Sequence, residues 1–507
     1  MTARDVIVIG GGLAGLAAAH RLTELAAERR APIRVTLLEA APRLGGSIAT
    51  ERIDGFLVEA GADSFLTEKP WALALCRRLG LDDRLIGTRD EQRRTFVVRD
   101  GRLQPLPQGF LLIAPTELGP LVRSPLFTWA GKLRMAADLV LPRGAARGDE
   151  SLAAFVSRRV GREAFERVVQ PLVGGIYTGD AERLSVAATM PRLVEMERRS
   201  RSLILGMRRQ ARAAAAQSGA RWSLFASFAD GMQTLVDALA RRLPEGAVRL
   251  DARVASLWPS AEPRLASRDV ASAAAEQGAA SGWEVTLTTG ERLHAPSVIV
   301  ATPAYVAADL VRSFDGSLGD EFAGIAYASS AIVTFAFPRA DVPHPLDGFG
   351  FVVPAIERRR VIAGSFSSVK YAGRAPAGAV LLRLFCGGVL GPDVTGLADD
   401  ELIALARDEL RALLGVTATP RLVRVQRHPR AMPQYELGHL DRLGRIDAAL
   451  RRHPGLALAG NAYRGVGIPD CIHSGERAAE RVAGAAPGSG EAPEASGGVP
   501  VPSSAGP

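Results

Sequence analysis

The feature that most constrains this chain is a glycine-rich turn set between an apolar run and an amphipathic segment. Residues 6–9 are apolar, Gly10, Gly11, Gly12, Leu13, Ala14 and Gly15 follow, and Leu16, Ala17, Ala18, Leu22 and Leu25 then recur at helical spacing. A second apolar run at residues 35–38 ends on Glu39 and Ala40. Strand, glycine turn, helix and strand make a βαβ unit. Glycines at these positions let the main chain approach a pyrophosphate held at the helix N-terminus. Glu39, at the end of the second strand, can accept a ribose hydroxyl, and its charge would repel the additional phosphate of a 2′-phosphorylated ribose. An adenine dinucleotide is the expected ligand.

The 507 residues suit two or three domains. Hydrophobic residues make up 47% and charged residues 23%, a normal globular balance that excludes disorder throughout. The formal net charge of +8 comes almost wholly from arginine, because the lysines are Lys69, Lys132 and Lys370 alone. An arginine-rich surface speaks first to solubility, and without a recognisable motif nucleic acid is the weakest partner for it. Cys76, Cys386 and Cys471 lie far apart with no metal-ligand spacing, so neither a zinc site nor a disulfide framework is expected. The chain enters its first apolar run at once, leaving no room for a signal peptide, and no window suits a membrane span. A cytoplasmic protein with at most peripheral contact at the inner face of the cell membrane is expected.

Six segments follow from the changes in pattern. Residues 1–88 are read as the first part of a dinucleotide-binding domain, 213–302 as its second part and 431–483 as its third. Residues 89–212, rich in arginine and broken by prolines, read as a helical region. Residues 303–430 read as a sheet domain, where runs at 331–337, 349–353, 361–366 and 380–386 suggest antiparallel strands. Further strand-like runs fall at 248–257, 283–288 and 297–301. The Ala/Ser/Glu-rich stretch at 259–282 reads as a disordered loop and residues 484–507 as a disordered tail.

Arg43, Leu44, Gly45, Gly46 and Ser47 follow the acidic residue, and Phe56, Val58, Glu59 and Gly61 follow them. This extension resembles the two-dinucleotide flavoproteins, which implies FAD. Near the other end, residues 456–460 read as a buried strand leading through residues 461–469 into a helix that begins around Asp470. Set under a flavin, that helix N-terminus would stabilise the negative charge of reduction. The same pattern also serves as an ordinary βα turn, with Asp470 an N-cap. No Ser/His/Asp triad, metal cluster or carboxylate pair stands out. His439 and His473 read as structural.

Together the fingerprint, residues 61–66, Gly174 to Asp180 with Leu184 and Ser185, residues 230–235 and residues 465–472 resemble the oxygen-dependent porphyrinogen oxidases, amine-oxidase-like flavoproteins, across about residues 4–483. The resemblance implies a mixed α/β and α+β fold, with a Rossmann-like FAD-binding domain, a mixed-sheet substrate domain and a helical membrane-docking region. It implies six-electron oxidation of protoporphyrinogen IX to protoporphyrin IX, with dioxygen reduced to hydrogen peroxide; oxidation of coproporphyrinogen III is the runner-up. It assigns Gly61, Ala62, Asp63 and Ser64 to the flavin, Val254 to a main-chain contact on its adenine side, and Val466, Gly467 and Ile468 to the isoalloxazine edge. The carbonyl of Gly175 is implied to receive a pyrrole proton. Asp63 departs from members that carry a basic residue there. Arg94 is the candidate for the substrate's propionates, with Thr95 the alternative in a shifted register. Residues 124–133 suit either a headgroup boundary or an ordinary core helix. Hand-off to a ferrochelatase and a homo-oligomer are compatible with the resemblance. An amine oxidase would show a lysine beside the flavin, and none of the three lysines lies in a motif that would put it there. A carotenoid desaturase would need a longer apolar tunnel segment, and a non-catalytic flavin-binding module is the least favoured alternative.

Overall fold

A computed structural model describes residues 4–30, 32–89, 94–111, 113–144, 148–216, 224–260, 282–391 and 393–484. The expected disordered tail, apart from Gly484, and the expected loop at 259–282, apart from its ends, lie outside the described residues.

The fingerprint strand Arg4–Ile9 is the middle of a five-stranded sheet. Ile33–Leu38 and then Val248–Arg249 lie on one side, Ser297–Val300 and then Leu456–Leu458 on the other, and every pairing is parallel. Because the chain winds outward first to one side and later to the other, a crevice opens at the carboxyl ends of Arg4–Ile9 and Ser297–Val300. Gly10 stands at that edge. The helix Leu13–Arg29 covers the sheet with Leu16, Ala17, Ala18 and Leu22 buried, and the helix Ile468–Val482 packs beside it. A methyl on Gly475 would lie 2.1 Å from the Ala14 carbonyl oxygen, so the two helices touch backbone to backbone.

The run expected at 248–257 is two strands. Asp251, at φ 52, breaks it: Val248–Arg249 joins the parallel sheet, whereas Val254–Ser260 pairs antiparallel with Gly282–Leu287.

A seven-stranded sheet runs Leu422–Pro433, Tyr327–Pro338, Ala379–Gly387, Val361–Phe366, Gly350–Val352, Thr95–Arg99, Arg102–Pro105. The four expected strands lie in it, three flanking strands extend it, and one pairing, Gly350–Val352 with Thr95–Arg99, is parallel. Residues 95–105 are therefore strands, not part of a helical region. Phe96, Val97 and Val98 are all buried, and Asp100 and Gly101, at φ 50 and 71, make the tight two-residue hairpin that Asp-Gly favours. One sheet face, with Val333, Phe335, Leu382 and Leu384, packs under the helix Asp399–Leu414. Each such side chain contributes about 1.5–3 kcal/mol of burial.

The helices from Leu118 onward have their own core, which contains Phe127, Phe155, Phe165 and Tyr177. A buried ion pair pins it: Arg159 Nε donates to Asp138 Oδ1 at 2.7 Å, and Asp138 Oδ2 accepts from Ser202 Oγ at 2.6 Å and from the Ile204 N–H at 3.0 Å. Residues 124–133 combine both expectations, since Leu126 and Phe127 are core while Trp129 and Leu133 are 65% and 71% exposed. Among the described residues no helix is long and apolar enough to cross a membrane.

Candidate functional site

The glycine turn separates positions that the protein itself crowds from one it leaves open. A Cβ on Gly10 would lie 2.6 Å from the Ala301 oxygen, and one on Gly15 would lie 1.9 Å from the Gly10 oxygen. Those glycines let helix and strands close on one another. At Gly12, the N-cap of Leu13–Arg29, nothing stands within 4 Å of the Cβ position. No side chain caps this helix and its first turn holds no acidic residue, so the N–H groups of Leu13, Ala14 and Gly15 present an uncapped positive end. This is the chemistry of a diphosphate cradle.

Glu39 sits directly behind it. One carboxylate oxygen accepts from the Gly11 N–H at 2.6 Å and the other from the Ala41 N–H at 2.8 Å, which leaves lone pairs for a diol. The Ala252 N–H donates to the Glu39 main-chain oxygen at 2.8 Å, which brings the segment leading to half-buried Val254 past the acidic residue. Ala40 is exposed next to it.

The second loop folds onto the first. Gly45 bridges to Gly12, its N–H donating to the Gly11 oxygen at 2.9 Å, and Gly46 lies against the Gly12 Cα. Arg43 donates to the carbonyls of Leu44, Gly46 and Ile48, so its guanidinium shapes this turn. A Cβ on Gly61 would lie 2.2 Å from the Ser47 oxygen. Segments 10–15, 45–47 and 61–64 thus form one cradle, although only the first has the fingerprint.

Two basic residues supply positive charge beside Asp63. Lys370 Nζ is 3.1 Å from its carboxylate, and the buried Arg383 approaches at 3.5 Å while donating to the Gly61 carbonyl at 2.6 Å. Burial would raise the Asp63 carboxyl, but Lys370 and then Arg383 overcome it and hold the group well below the usual carboxylate range. Lys69 is placed similarly: its Nζ lies 2.6 and 2.7 Å from the Asp470 oxygens at the start of Ile468–Val482. The expectation that no lysine stands beside the candidate cofactor segments is therefore corrected. Lys69 and Lys370 arrive from 401 and 307 residues away, a distance no local motif reports.

At the C-terminal segment the helix begins at Ile468, with Gly467 rather than Asp470 as N-cap. Gly465, at φ 139, leaves room for Asp470, whose Cγ would lie 2.3 Å from a methyl there. Tyr435, unremarked in the sequence, organises this loop. Its hydroxyl donates to the Asn461 carbonyl at 2.6 Å and accepts from the Gly465 N–H at 2.8 Å. His439 stacks on Tyr435 with centroids 4.1 Å apart and bonds the Tyr463 carbonyl, and His473 stacks on Trp71 at 4.1 Å. Both histidines have packing roles.

The helix Gln170–Tyr177 meets the same place. Gln434 donates to the Tyr177 carbonyl at 2.9 Å, and Val466 packs against the helical core that holds Tyr177. Gly175 lies in the last turn, where carbonyls lack partners within the helix, and its oxygen receives no hydrogen bond from a described residue outside the helix. The block at 230–235 has a supporting part. The buried Glu59 carboxylate accepts from the Met232 N–H at 2.9 Å and from Thr50 Oγ1 at 2.7 Å, and burial raises its pKa.

Opposite the Asp399–Leu414 helix, the other face of the seven-stranded sheet carries a polar row. Thr334, Arg383 and Ser365 are ladder neighbours, and Ile332, Phe385 and Ala363 form the next row. Thr334 Oγ1, Ser365 Oγ, Arg383 Nε and, in the second row, Gln426 Oε1 are buried with no hydrogen-bond partner among the described residues. Buried polar atoms left bare are costly, so this face suits a ligand that meets them. The register extends through Gly350 to Thr95, which puts Thr95 on that face. Arg94 is not brought to it: its side chain is 67% exposed and bound to Asp347 at 2.7 Å, because neighbouring strand residues alternate between faces. Among the described residues no cluster of His, Cys, Asp and Glu is fit to hold a metal.

Residues 13–483 match the family described as flavin containing amine oxidoreductase. The coproporphyrinogen III oxidase of Bacillus subtilis (strain 168) is 33% identical over 478 residues, covering 94% of this chain and 97% of that protein. The chloroplastic protoporphyrinogen oxidase of Nicotiana tabacum is 28% identical over 504 residues, covering 95% and 85%. A crystal structure of a candidate protoporphyrinogen oxidase from Exiguobacterium sp. 255-15 superimposes with a TM-score of 0.80 at 28% identity, covering 95% of this chain and 98% of that one.

Proposed function

This chain belongs to the flavin containing amine oxidoreductase family, and from that premise we propose that it oxidises a porphyrinogen to its porphyrin, with coproporphyrinogen III the preferred substrate. The observation that carries the reading is the convergence of the 174–180 and 465–472 segments, whose resemblance is the narrowest, through Gln434 and Tyr435. The substrate order reverses the one read from the sequence, which put protoporphyrinogen IX first. Its support is the relative from Bacillus subtilis, aligned over 97% of its length at 33% identity against 85% at 28% for the tobacco protein.

When bound, FAD supplies a two-electron acceptor that dioxygen reoxidises to release hydrogen peroxide, so that three rounds remove six hydrogens. The main chain of Gly10 to Gly15 would hold the pyrophosphate and Glu39 the ribose. Residues Gly45 to Ser47 and Gly61 to Ser64 would line the cofactor's path, with Asp63 kept ionised by Lys370 and Arg383. The N-terminus of the Ile468–Val482 helix would face the isoalloxazine edge through Val466, Gly467 and Ile468 and favour negative charge there. The free carbonyl of Gly175 would accept a pyrrole proton. The polar row of Thr334, Arg383 and Ser365 would face the substrate. Exposed Trp129 and Leu133 suit peripheral membrane contact.

The test is purified flavin-loaded protein with each porphyrinogen under air, following porphyrin fluorescence above the autoxidation rate. Faster oxidation of coproporphyrinogen III supports the proposal. Preference for protoporphyrinogen IX, the reading that the likeness to the tobacco protein favours, would reverse the order, and silence with both would end it.

A further inference from the structure

We infer that a cleft at one end of the seven-stranded sheet receives the propionates that coproporphyrinogen III carries and protoporphyrinogen IX lacks, and that Arg358 and Arg360 bind them. The inference rests on the function proposed above.

The cleft, about 410 Å³, opens between the last turn of Gln170–Tyr177, the turn after Gly350–Val352 and the glycine-rich exit of Ala379–Gly387. Its position is fixed by main-chain bonds. The Val389 N–H donates to the Thr178 carbonyl at 2.8 Å, and Gly388, at φ 81, comes so near that a methyl there would stand 2.9 Å from the same oxygen. Gly174 and Thr178 line the wall on the side of the helix that carries Gly175. Arg383, Phe385 and Gly387 alternate onto one sheet face, so the cleft begins four residues, about 13 Å, along the strand from the polar row. That span is on the scale of one tetrapyrrole, whose far edge would lie at the cleft while its near edge met Arg383.

The walls are apolar and the rim is cationic. Pro171, Ile362 and Leu390 are among the lining, and three successive arginines follow Glu357. They are not equivalent. Arg359 is paired with Glu409 at 2.7 Å, whereas neither Arg358 nor Arg360 has a side-chain ion pair among the described residues. Arg358 is held at φ 53, a conformation in which glycine or asparagine is at ease and arginine is strained. Two unneutralised guanidinium groups at the mouth of an apolar cleft match an apolar ring edge bearing carboxylates, which arginine binds by paired hydrogen bonds.

The experiment compares kcat and KM of the flavin-loaded wild type, the double variant Arg358→Ala with Arg360→Ala, and the double variant Arg358→Lys with Arg360→Lys. Flavin content and Tm are checked first, since both side chains are on the surface and folding should be unaffected. The alanine variant is expected to raise KM for coproporphyrinogen III at least about tenfold, the loss of a single charge-assisted contact, with kcat unchanged and KM for protoporphyrinogen IX within about twofold. The lysine variant, which keeps the charge but not the paired bonds, should recover part of the loss, and added salt should raise the wild-type KM for coproporphyrinogen III more than that for protoporphyrinogen IX. Wild-type oxidation with variants that change both KM values equally, or neither, would overturn this inference and leave the function standing. Wild-type silence with both porphyrinogens would overturn the function and the inference with it.

Discussion

Gly12 and Gly15 lie three residues apart in the same fingerprint, yet their substitution by alanine should fail in different ways. Gly12 has φ −70 and ψ 178, which any residue adopts, and no heavy atom stands within 4 Å of the methyl it would gain. In the flavin-free protein two small effects oppose each other. Alanine lowers the entropy of the unfolded chain, worth about 0.4–1 kcal/mol, and is a poorer N-cap than glycine by a similar amount. The Tm of the flavin-free Gly12→Ala protein should therefore lie within a few degrees of the wild type. If a pyrophosphate occupies the open space, the methyl displaces it from the helix N-terminus. Loss of one charge-assisted N–H bond, about 1.5–3 kcal/mol, weakens FAD binding about 10- to 100-fold. Gly15→Ala instead sets a methyl 1.9 Å from the Gly10 carbonyl oxygen, main chain against main chain. The helix must shift off the strand, at a cost of about 1–3 kcal/mol or more, so flavin-free Tm and FAD affinity should fall together. Thermal melts with and without flavin, combined with FAD titration of the flavin-free proteins, separate the two patterns. Wild-type affinity in Gly12→Ala, or a Tm loss there equal to that of Gly15→Ala, would refute the assignment of the open space to the cofactor.

Three further substitutions probe separate parts of the account. Glu39→Ala removes the acceptor expected to hold the ribose and should weaken FAD retention at least about tenfold, read as flavin absorbance surviving dialysis; full retention would remove Glu39 from that role. Asp138→Ala removes the nearer of two carboxylates beside buried Arg159, leaving Glu197 at 3.5 Å, and strips the acceptor from Ser202 Oγ and the Ile204 N–H; it should cost about 1–3 kcal/mol in urea unfolding, whereas a midpoint equal to wild type would show that the pair contributes nothing. Burial, then the charge of Arg477, pushes the His473 imidazole down to about 4 from an ordinary 6.5. The unfolded chain therefore takes up a proton that the folded chain refuses, and stability falls as pH drops from about 6.5 towards about 4. His473→Phe, which keeps a ring against Trp71, should flatten that limb of the stability curve; curves that run parallel would count against it.

The cradle was legible where chemistry is local. Strand, Gly10 to Gly15, helix and Glu39 lie within one βαβ unit, and steric need alone fixes the glycines at 10 and 15. The alternation of faces along a strand was not used for Arg94, although it separates Arg94 from Thr95 once Thr95 pairs with Gly350. The Asp100–Gly101 hairpin was available in the sequence, but the prolines and arginines around it drew the segment into a helical reading. What lay out of reach is the pairing of distant charges. Lys370 with Asp63, Lys69 with Asp470, and Tyr435 with Gly465 each depend on elements brought together by the whole fold. Asp63 alone looked like an anomalous charge; with Lys370 and Arg383 beside it the local balance is restored.

The central claim is that this cradle passes electrons from a porphyrinogen to dioxygen, and anaerobic mixing of the flavin-loaded protein with coproporphyrinogen III tests it most directly. Loss of the oxidised flavin's visible absorbance is expected, followed on admission of air by its return, with three hydrogen peroxide molecules for each coproporphyrin III formed, and with faster bleaching than protoporphyrinogen IX gives. A flavin that stays oxidised with both porphyrinogens would contradict the account.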